Sequence, residues 1–189
     1  GGMASGKSTL ARMIAGRGIA HVDADKLVHQ LLQHDPYCIA AITAAFPGVS
    51  RGTTIDRAAL AKHISQHPKS LATLESILHP RVRAMEEDAI AIATRNRLRA
   101  LVLDIPLLFE TDADQLCDVV IVAHAKLQHR RRRAFTRAGM TEEKWQRLLS
   151  RQLPDQHRNQ LADYVVRTDG GKGATRKQIL ALMRTWRLI

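Results

Sequence analysis

The chain has 189 residues, 45% of them apolar, which is enough for one α/β domain with a substantial core and room for an inserted subdomain. No apolar run approaches the roughly 18 residues of a membrane-spanning helix, so we expect no membrane partner. Lysine and arginine outnumber acidic residues by 29 to 18, giving a formal charge of +11. This balance suits anionic partners such as nucleotides, phosphorylated substrates or nucleic acid.

The two cysteines, Cys38 and Cys117, stand in apolar surroundings at no metal-binding spacing. We therefore expect two buried thiols outside any disulfide. Reduced thiols are typical of the cytoplasm, where we place the protein because the sequence also shows no signal peptide.

The chain opens with Gly-Gly-Met-Ala-Ser-Gly-Lys-Ser, which has the spacing of a Walker A motif, or P-loop. Its glycines let backbone N–H groups turn toward phosphate oxygens, and a following helix adds the positive end of its dipole. Lys7 would bind the β- and γ-phosphates of ATP, and the Ser8 hydroxyl would bind Mg²⁺. The alternative is a glycine-rich turn before an ordinary helix. The residues expected to bind the phosphates are Gly2, Met3, Ala4, Ser5, Gly6, Lys7, Ser8 and Thr9.

The helix that should follow a P-loop is predicted over Ser8–Ala15, and Gly16 and Gly18 mark its end. The strand that should precede the loop would lie upstream of Gly1. We therefore expect the first strand of the sheet to be missing from this chain, because upstream residues were trimmed or because the molecule is a fragment.

Four apolar runs separated by helical patterns predict a parallel sheet with helices on both faces, of the P-loop NTPase type. These runs are Ile19–Asp23, Ala100–Ile105, Asp118–Ala123 and Tyr164–Arg167. Between the first two runs we expect no strand, only helices over Lys26–Gln33, Pro36–Phe46, Arg57–Gln66, Pro68–Ile77 and Pro80–Asn96. A closing helix is predicted over Thr175–Arg187.

This pattern divides the chain into three parts. Residues 1–25, 98–125 and 162–189 would form the nucleotide-binding core. Residues 26–97 would form an inserted helical subdomain. Residues 126–161, rich in arginine, would form a second helical insertion.

Aspartates follow two of the predicted strands: Asp25 lies just beyond the first, and Asp104 near the end of the second. Because ligands bind beyond the carboxyl ends of parallel strands, we expect both to converge on the P-loop. An acid there can accept a proton from an attacking hydroxyl or hold Mg²⁺. The alternatives are an N-cap role for Asp25 and a turn role for Asp104 before Pro106.

In the arginine run that begins at Arg130, the spacing of Arg130, Arg133 and Arg137 predicts one helix face. Such a face could close over a nucleotide and neutralise charge on the transferred phosphoryl group. A solvated basic face and a nucleic-acid patch are alternatives, although no aromatic residues interleave to stack bases. We expect Arg133 and Arg137 to be functional, and Arg131 and Arg132 to face solvent.

An ordered set of motifs resembles the dephospho-CoA kinase family along nearly the whole chain. Beyond the P-loop and Asp23-Ala24-Asp25, the set comprises Leu78–Val82 (LHPRV), Asp104–Glu110 (DIPLLFE), Arg137–Thr141, Arg151-Gln152 and Ala162–Val166. Two positions depart from the family pattern, since Ala4 stands where many members have glycine and Arg130 where many have glutamine.

The resemblance implies transfer of the γ-phosphoryl of ATP to the ribose 3′-hydroxyl of dephospho-CoA. It implies that the insertion over residues 26–97 binds the substrate and that the insertion over residues 126–161 is a lid. It implies that Asp25 is the base, that Lys7, Arg133 and Arg137 are catalytic, and that Ser8 and Asp104 hold Mg²⁺. The substrate-binding residues it implies are Asp25, His79, Asp104, Leu107 and Glu110. His79 could instead cap a helix that starts at Pro80.

Two rival functions stay open at this point. One is a different small-molecule P-loop kinase, of nucleoside or shikimate type, which has no reason to carry the DIPLLFE sequence. The other is a nucleic-acid-binding NTPase that uses the arginine run. We expect no nucleic-acid partner and a monomer or weak homo-oligomer. The loop Thr168–Gly171, after the last predicted strand, is a candidate for the adenine pocket.

Overall fold

The computed structural model describes all 189 residues and divides them into two compact units. The larger unit comprises residues 1–22 and 96–189, and the smaller unit residues 23–95. Residues 126–161, predicted as a lid, belong to the larger unit. The separation of lid from core within that unit stays a prediction.

The larger unit contains two two-stranded sheets. Strand β1 (Ala20–Asp23) pairs with β4 (Leu101–Asp104), and β5 (Ile121–His124) pairs in parallel with β6 (Tyr164–Arg167). The sequence placed the start of β5 at Asp118, which is wrong. Asp118 and Val119 are exposed, and the Val120 N–H donates to the Asp163 carboxylate at 2.7 Å.

Two helices pack on these strands and bury the main core of the larger unit. Helix α1 (Lys7–Ala15) contacts both β4 and β5, so it joins the two strand pairs. Helix α9 (Gly171–Thr185) contacts β6 and α1. The buried side chains between them are Leu10, Ile14, Val166, Ile179 and Met183.

Three further helices lie between β5 and β6: α6 (Leu127–Phe135), α7 (Glu142–Leu149) and α8 (Asp155–Leu161). Helix α7 starts at a good N-cap, because the Thr141 hydroxyl accepts a hydrogen bond from the Lys144 N–H. Helix α6 ends at Phe135, so Arg137 does not share a helix face with Arg130 and Arg133 as predicted.

The smaller unit holds four helices: α2 (Ala24–His34), α3 (Pro36–Ala45), α4 (Arg57–Gln66) and α5 (Ser70–Arg95). It also contains a short antiparallel hairpin, β2 (Ser50–Arg51) and β3 (Thr54–Ile55), where the sequence predicted no strand. Gly52 lies in the turn with φ of 64°, a left-handed conformation that glycine adopts readily.

Helix α5 runs through Pro80, although the sequence predicted two helices that meet there. A proline inside a helix costs about 3 kcal/mol or more. Apolar side chains on both sides of it, including Leu78 and Val82, pack into the core of the smaller unit. Each buried side chain of this kind contributes about 1.5–3 kcal/mol, which is enough to keep the helix continuous.

Each unit contains one cysteine, and neither forms a disulfide. Cys38 is fully buried in the smaller unit, and this burial raises the pKa of its thiol to about 11. Cys117, in the larger unit, is only partly buried, so the prediction of two buried thiols is wrong for this residue.

None of the helices combines the length and apolar character needed to cross a membrane.

Candidate active site

The P-loop forms a tight turn that leads directly into α1. The Ser5 N–H donates to the Gly2 carbonyl at 3.0 Å, and Gly6, the N-cap of α1, has φ of 98°. Ala4 also adopts a left-handed conformation, with φ of 58°, which costs a residue with a Cβ roughly 1–2 kcal/mol. Its methyl group packs in a buried cluster with Ala134 and Trp145.

Lys7 and Asp104 meet at the base of this loop. The Lys7 Nζ lies 2.6 Å from Asp104 Oδ1, and the aspartate is only 2% exposed. The structure therefore brings together the P-loop lysine and the carboxylate at the end of β4, as the sequence predicts.

The other carboxylate oxygen of Asp104 is a candidate ligand for the expected Mg²⁺. Asp104 Oδ2 is buried and has no hydrogen-bond partner. Carboxylate and hydroxyl oxygens are ligands that Mg²⁺ prefers, and Ser8 lies in the first turn of α1, one residue after Lys7. The donor set thus fits a magnesium ion that keeps several water ligands, and no cluster of three or more His, Cys, Asp or Glu side chains offers an alternative site.

Arg133 bridges the P-loop and the segment that follows β6. Its Nη1 donates to the Ser5 carbonyl at 3.3 Å and to the Thr168 hydroxyl at 3.2 Å, and its Nη2 donates to the Thr168 carbonyl at 2.6 Å. The Thr168 hydroxyl in turn donates to the Ser5 carbonyl. Arg137 is exposed beyond the end of α6 and takes no part in these bonds.

The DIPLLFE segment continues from β4 beside this site. Leu107 adopts a left-handed conformation with φ of 53°, and its carbonyl accepts the Thr111 N–H at 3.0 Å. Glu110 Oε1 accepts the Leu153 N–H at 2.8 Å, so this carboxylate anchors the loop before α8. Both residues were predicted to bind substrate, and this role stays a prediction.

Asp25 and His79 lie in the smaller unit. Asp25 is the second residue of α2, and its side chain is exposed. The Asp23 carboxylate caps this helix by accepting from the Asp25 and Lys26 N–H groups, so the alternative of Asp25 as the N-cap is wrong. His79 lies inside α5 and is exposed, so it does not cap a helix that starts at Pro80.

The LHPRV motif supplies a contact that the sequence analysis missed. Arg81 Nη2 lies 2.5 Å from Asp35 Oδ2, and Asp35 Oδ1 accepts the Cys38 N–H at the start of α3. The hydrogen bond from Arg81 holds the pKa of the Asp35 carboxyl below its ordinary value. Arg81 therefore ties α5 to α3 within the smaller unit.

The family model described as dephospho-CoA kinase matches residues 1–173 of the chain. The chain belongs to the dephospho-CoA kinase family. It is 41% identical over 183 residues to the dephospho-CoA kinase of Rhizobium meliloti, covering 97% of this chain and 93% of that protein. It is 37% identical over 184 residues to the dephospho-CoA kinase of Agrobacterium fabrum, covering 97% and 94%.

Solved structures support the fold. A crystal structure of a protein from Thermus thermophilus superposes with a TM-score of 0.78 at 27% identity, covering 97% of this chain and 93% of that one. The dephospho-CoA kinase from Campylobacter jejuni superposes with a TM-score of 0.69 at 23% identity, covering 96% and 92%, and supports the fold. The predicted family and the α/β P-loop fold class are confirmed.

Sequence reasoning missed several residues that shape the P-loop in this member of the dephospho-CoA kinase family. Arg130, Gln152 and Asp155 form a connected group of side chains beside Met3. The sequence offered two separate signals, the arginine where many members have glutamine and the Arg151-Gln152 motif. The partners of Arg130 lie 22 and 25 residues further along the chain, and no short motif connects them to it.

Proposed function

We propose that this chain is a dephospho-CoA kinase, which transfers the γ-phosphoryl of ATP to the ribose 3′-hydroxyl of dephospho-CoA and yields CoA and ADP. The observation that carries the proposal is the Lys7–Asp104 pair at the base of a Walker A loop, in a chain of this family. The formal charge of +11 suits two substrates that both carry phosphate groups.

The P-loop would bind the triphosphate of ATP. Its backbone N–H groups and the N-terminus of α1 favour negative charge, and Lys7 adds a mobile cation. The Lys7 ammonium contacts the Asp104 carboxylate. We expect it to turn toward the β- and γ-phosphates when ATP binds.

Ser8 and Asp104 are the residues that would hold Mg²⁺. When bound, the ion neutralises charge on the β- and γ-phosphate oxygens. Asp104 is suited to this role because its Oδ2 is buried without a partner beside the loop.

Asp25 is our proposed base. The acceptor 3′-oxygen attacks the γ-phosphorus, the bond from that phosphorus to the β–γ bridging oxygen breaks, and ADP leaves. The hydroxyl proton passes to the Asp25 carboxylate. Two features support the assignment: Asp25 follows β1 by two residues, and its carboxylate is exposed rather than used as a helix cap.

Two arginines would stabilise the transferred phosphoryl group. Arg133 already lies on the P-loop carbonyls, and Arg137 is exposed one turn beyond it in the chain. Fixed cations stabilise charge that develops in the transition state without reorganisation at the moment of reaction. We further propose that His79, Leu107 and Glu110 contact dephospho-CoA and that residues 168–171 border the adenine.

The proposal extends to the setting of the protein. We infer that it works in the cytoplasm, as a monomer or weak homo-oligomer, without a nucleic-acid partner. Binding to polynucleotides measured over a salt series tests the last point, since affinity for a nucleic acid falls steeply with salt.

The decisive experiment is ATP-coupled turnover with a panel of hydroxyl acceptors: dephospho-CoA, nucleosides and shikimate. We expect ADP formation only with dephospho-CoA, and a phosphorylated product whose mass matches CoA. Comparable turnover with a nucleoside or with shikimate would contradict the proposal. A reaction without Mg²⁺ checks the metal requirement.

A further inference from the structure

Arg130 is a charged residue that the fold buries almost completely. It lies on α6, in the run of four arginines, and is 2% exposed, whereas its neighbours Arg131 and Arg132 are exposed. A buried guanidinium is costly unless its donors are all satisfied. The donors of Arg130 bind groups of Met3 in the P-loop, of Gln152 in the loop before α8, and of Asp155 in α8.

Arg130 and Gln152 together hold both peptide groups that flank Met3. The Met3 N–H donates to Gln152 Oε1 at 2.9 Å, and the Met3 carbonyl accepts from Arg130 Nε at 2.8 Å. Arg130 Nη2 also donates to Gln152 Oε1, at 3.2 Å, which closes the group into a ring. The backbone of the loop at Met3 is thus held from both sides by side chains.

Asp155 fixes the guanidinium in place. Arg130 Nη1 donates to both of its carboxylate oxygens, at 2.7 and 2.8 Å. Arg158, itself buried, also pairs with Asp155 and donates to the Leu153 carbonyl at 3.1 Å, but it donates no hydrogen bond to the P-loop. Both arginines therefore share the Asp155 carboxylate, and of the two only Arg130 is hydrogen-bonded to the loop.

The same guanidinium explains why the second residue is glycine. A Cβ at Gly2 would lie 2.4 Å from Arg130 Nη2 and 2.5 Å from its Cζ. The end of an arginine side chain can usually move away, but this one is pinned by Asp155 and Gln152. Gly2 and Arg130 are thus matched to each other.

We propose that Arg130 is a positioning residue that sets the P-loop in its phosphate-binding shape before the nucleotide arrives. It acts through the Met3 backbone and makes no contact with the reacting atoms. The inference rests on the proposed function only in taking the loop as the ATP site. Pre-organisation of this kind strengthens nucleotide binding, because the loop does not have to be ordered by the ligand.

Calorimetric titration with ADP tests the proposal without any phosphoryl acceptor. The variants are Arg130→Met, Arg158→Met as a buried control that shares Asp155, and Arg131→Met as an exposed control on the same helix. We expect Arg130→Met to weaken ADP binding about tenfold or more, the effect of losing hydrogen bonds to a charged donor. Both controls should bind ADP like the wild type, even where Arg158→Met lowers the Tm. Unchanged ADP affinity in Arg130→Met overturns the proposal, and so does an equal loss in Arg158→Met.

A double-mutant cycle of Gly2 and Arg130 separates positioning from general destabilisation. Gly2→Ala should weaken ADP binding strongly in the wild type but much less in an Arg130→Ala background, where the guanidinium is gone. An equal effect of Gly2→Ala in both backgrounds contradicts the proposed match. If Arg130→Met does not fold, Gln152→Leu takes its place, because it releases the Met3 N–H and keeps the Arg130–Asp155 pair. Unchanged ADP binding in that variant overturns the proposal.

The steady-state constants give an independent readout. In Arg130→Met we expect the KM for ATP to rise about tenfold, by the same lost hydrogen bonds, with little change in the KM for dephospho-CoA. If the wild type binds ADP but does not phosphorylate dephospho-CoA, the proposed function fails while the ADP titration still decides the role of Arg130.

Discussion

The ammonium group of Lys7 lies 2.6 Å from a carboxylate oxygen of Asp104, and the fold buries that carboxylate at the end of β4. The side chain of Lys7, at the start of α1, is therefore held by a partner at the end of a strand. The second oxygen of Asp104 is buried without a hydrogen bond, so this one side chain serves the lysine and stays available to a metal.

Replacing Asp104 with asparagine tests its proposed role as a ligand of Mg²⁺. We expect kcat to fall about 10²-fold and the Mg²⁺ concentration for half-maximal rate to rise, because the charge on a proposed metal ligand is lost. Initial rates over a Mg²⁺ series measure this. Asp118→Asn, an exposed acid in the same unit, should behave like the wild type. A normal Mg²⁺ dependence in Asp104→Asn would count against metal binding by Asp104.

Asp25→Asn separates catalysis from stability. We expect kcat to fall about 10²-fold or more, with modest change in the KM for ATP, as for loss of a positioned base. Thermal stability should change little, because Asp23 rather than Asp25 caps α2 and the charge of Asp25 in the first turn contributes only about 0.3–1 kcal/mol. Rates and Tm values, with the exposed Asp88→Asn as control, check both statements. A near-normal kcat would rule out Asp25 as the base.

The two proposed lid arginines should differ in their effect on folding. Arg133→Met should lower both kcat and Tm, because its guanidinium joins the Ser5 and Thr168 backbone groups. Arg137→Met should lower kcat about 10²-fold, the usual effect of losing one donor to the transition state, but hardly change Tm, because the residue is exposed. Measuring kcat and Tm for both variants checks these expectations. Equal Tm losses in the two variants would contradict the structure.

The ion pair between Asp35 and Arg81 makes the smaller unit sensitive to acid. Because Arg81 lowers the pKa of the Asp35 carboxyl from 3.8, the pair stabilises the folded state fully above that value. The contribution is lost as pH falls through the lowered pKa. Asp35→Asn should therefore lower Tm at neutral pH, and the difference from the wild type should shrink at about pH 3.

Asp56→Asn is the matched control for this experiment. Asp56 caps α4 in the same way, accepting from the Ala58 and Ala59 N–H groups, but pairs with no arginine. Asparagine preserves a cap at both positions. A pH-independent Tm difference for Asp35→Asn would show that the ion pair contributes nothing.

The buried carboxyl of Glu86 gives stability a pH dependence opposite to that of Asp35. It is 2% exposed on α5, its Oε1 has no hydrogen-bond partner, and burial raises the pKa of its carboxyl above 4.5. The folded state then binds the proton more tightly than the unfolded state, so stability falls as pH rises through this range. Glu86→Gln should raise Tm at neutral pH but not at about pH 4. The exposed neighbour Glu87→Gln should change Tm at neither pH.

Much of the fold could be predicted from periodicity. The patterns at Arg57–Gln66 and Tyr164–Arg167 coincide with α4 and β6. The error at Pro80 has a physical cause, since the local preference to end a helix at proline is overridden by the burial of Leu78 and its neighbours. Such tertiary burial leaves no local mark in the sequence.

The candidate site was predictable where local motifs carry it and not where distant side chains meet. The Walker A spacing located Lys7, and the strand-end rule located Asp104, because both depend on short segments. The ring of Arg130 and Gln152 around Met3 joins residues 127 and 149 positions from it. A single sequence gives no means to predict such a pairing.

The placement of one cysteine in each unit provides a built-in chemical reporter. Cys38 is inaccessible and its thiol resists deprotonation, so an alkylating reagent modifies it only when the smaller unit opens. Cys117 is accessible in part without such opening. The labelling rate of Cys38 under native conditions, followed by peptide mass spectrometry, therefore times the opening of the helical unit without an engineered probe. Repeating the labelling at a saturating concentration of either substrate would then show whether that substrate slows the opening of this unit.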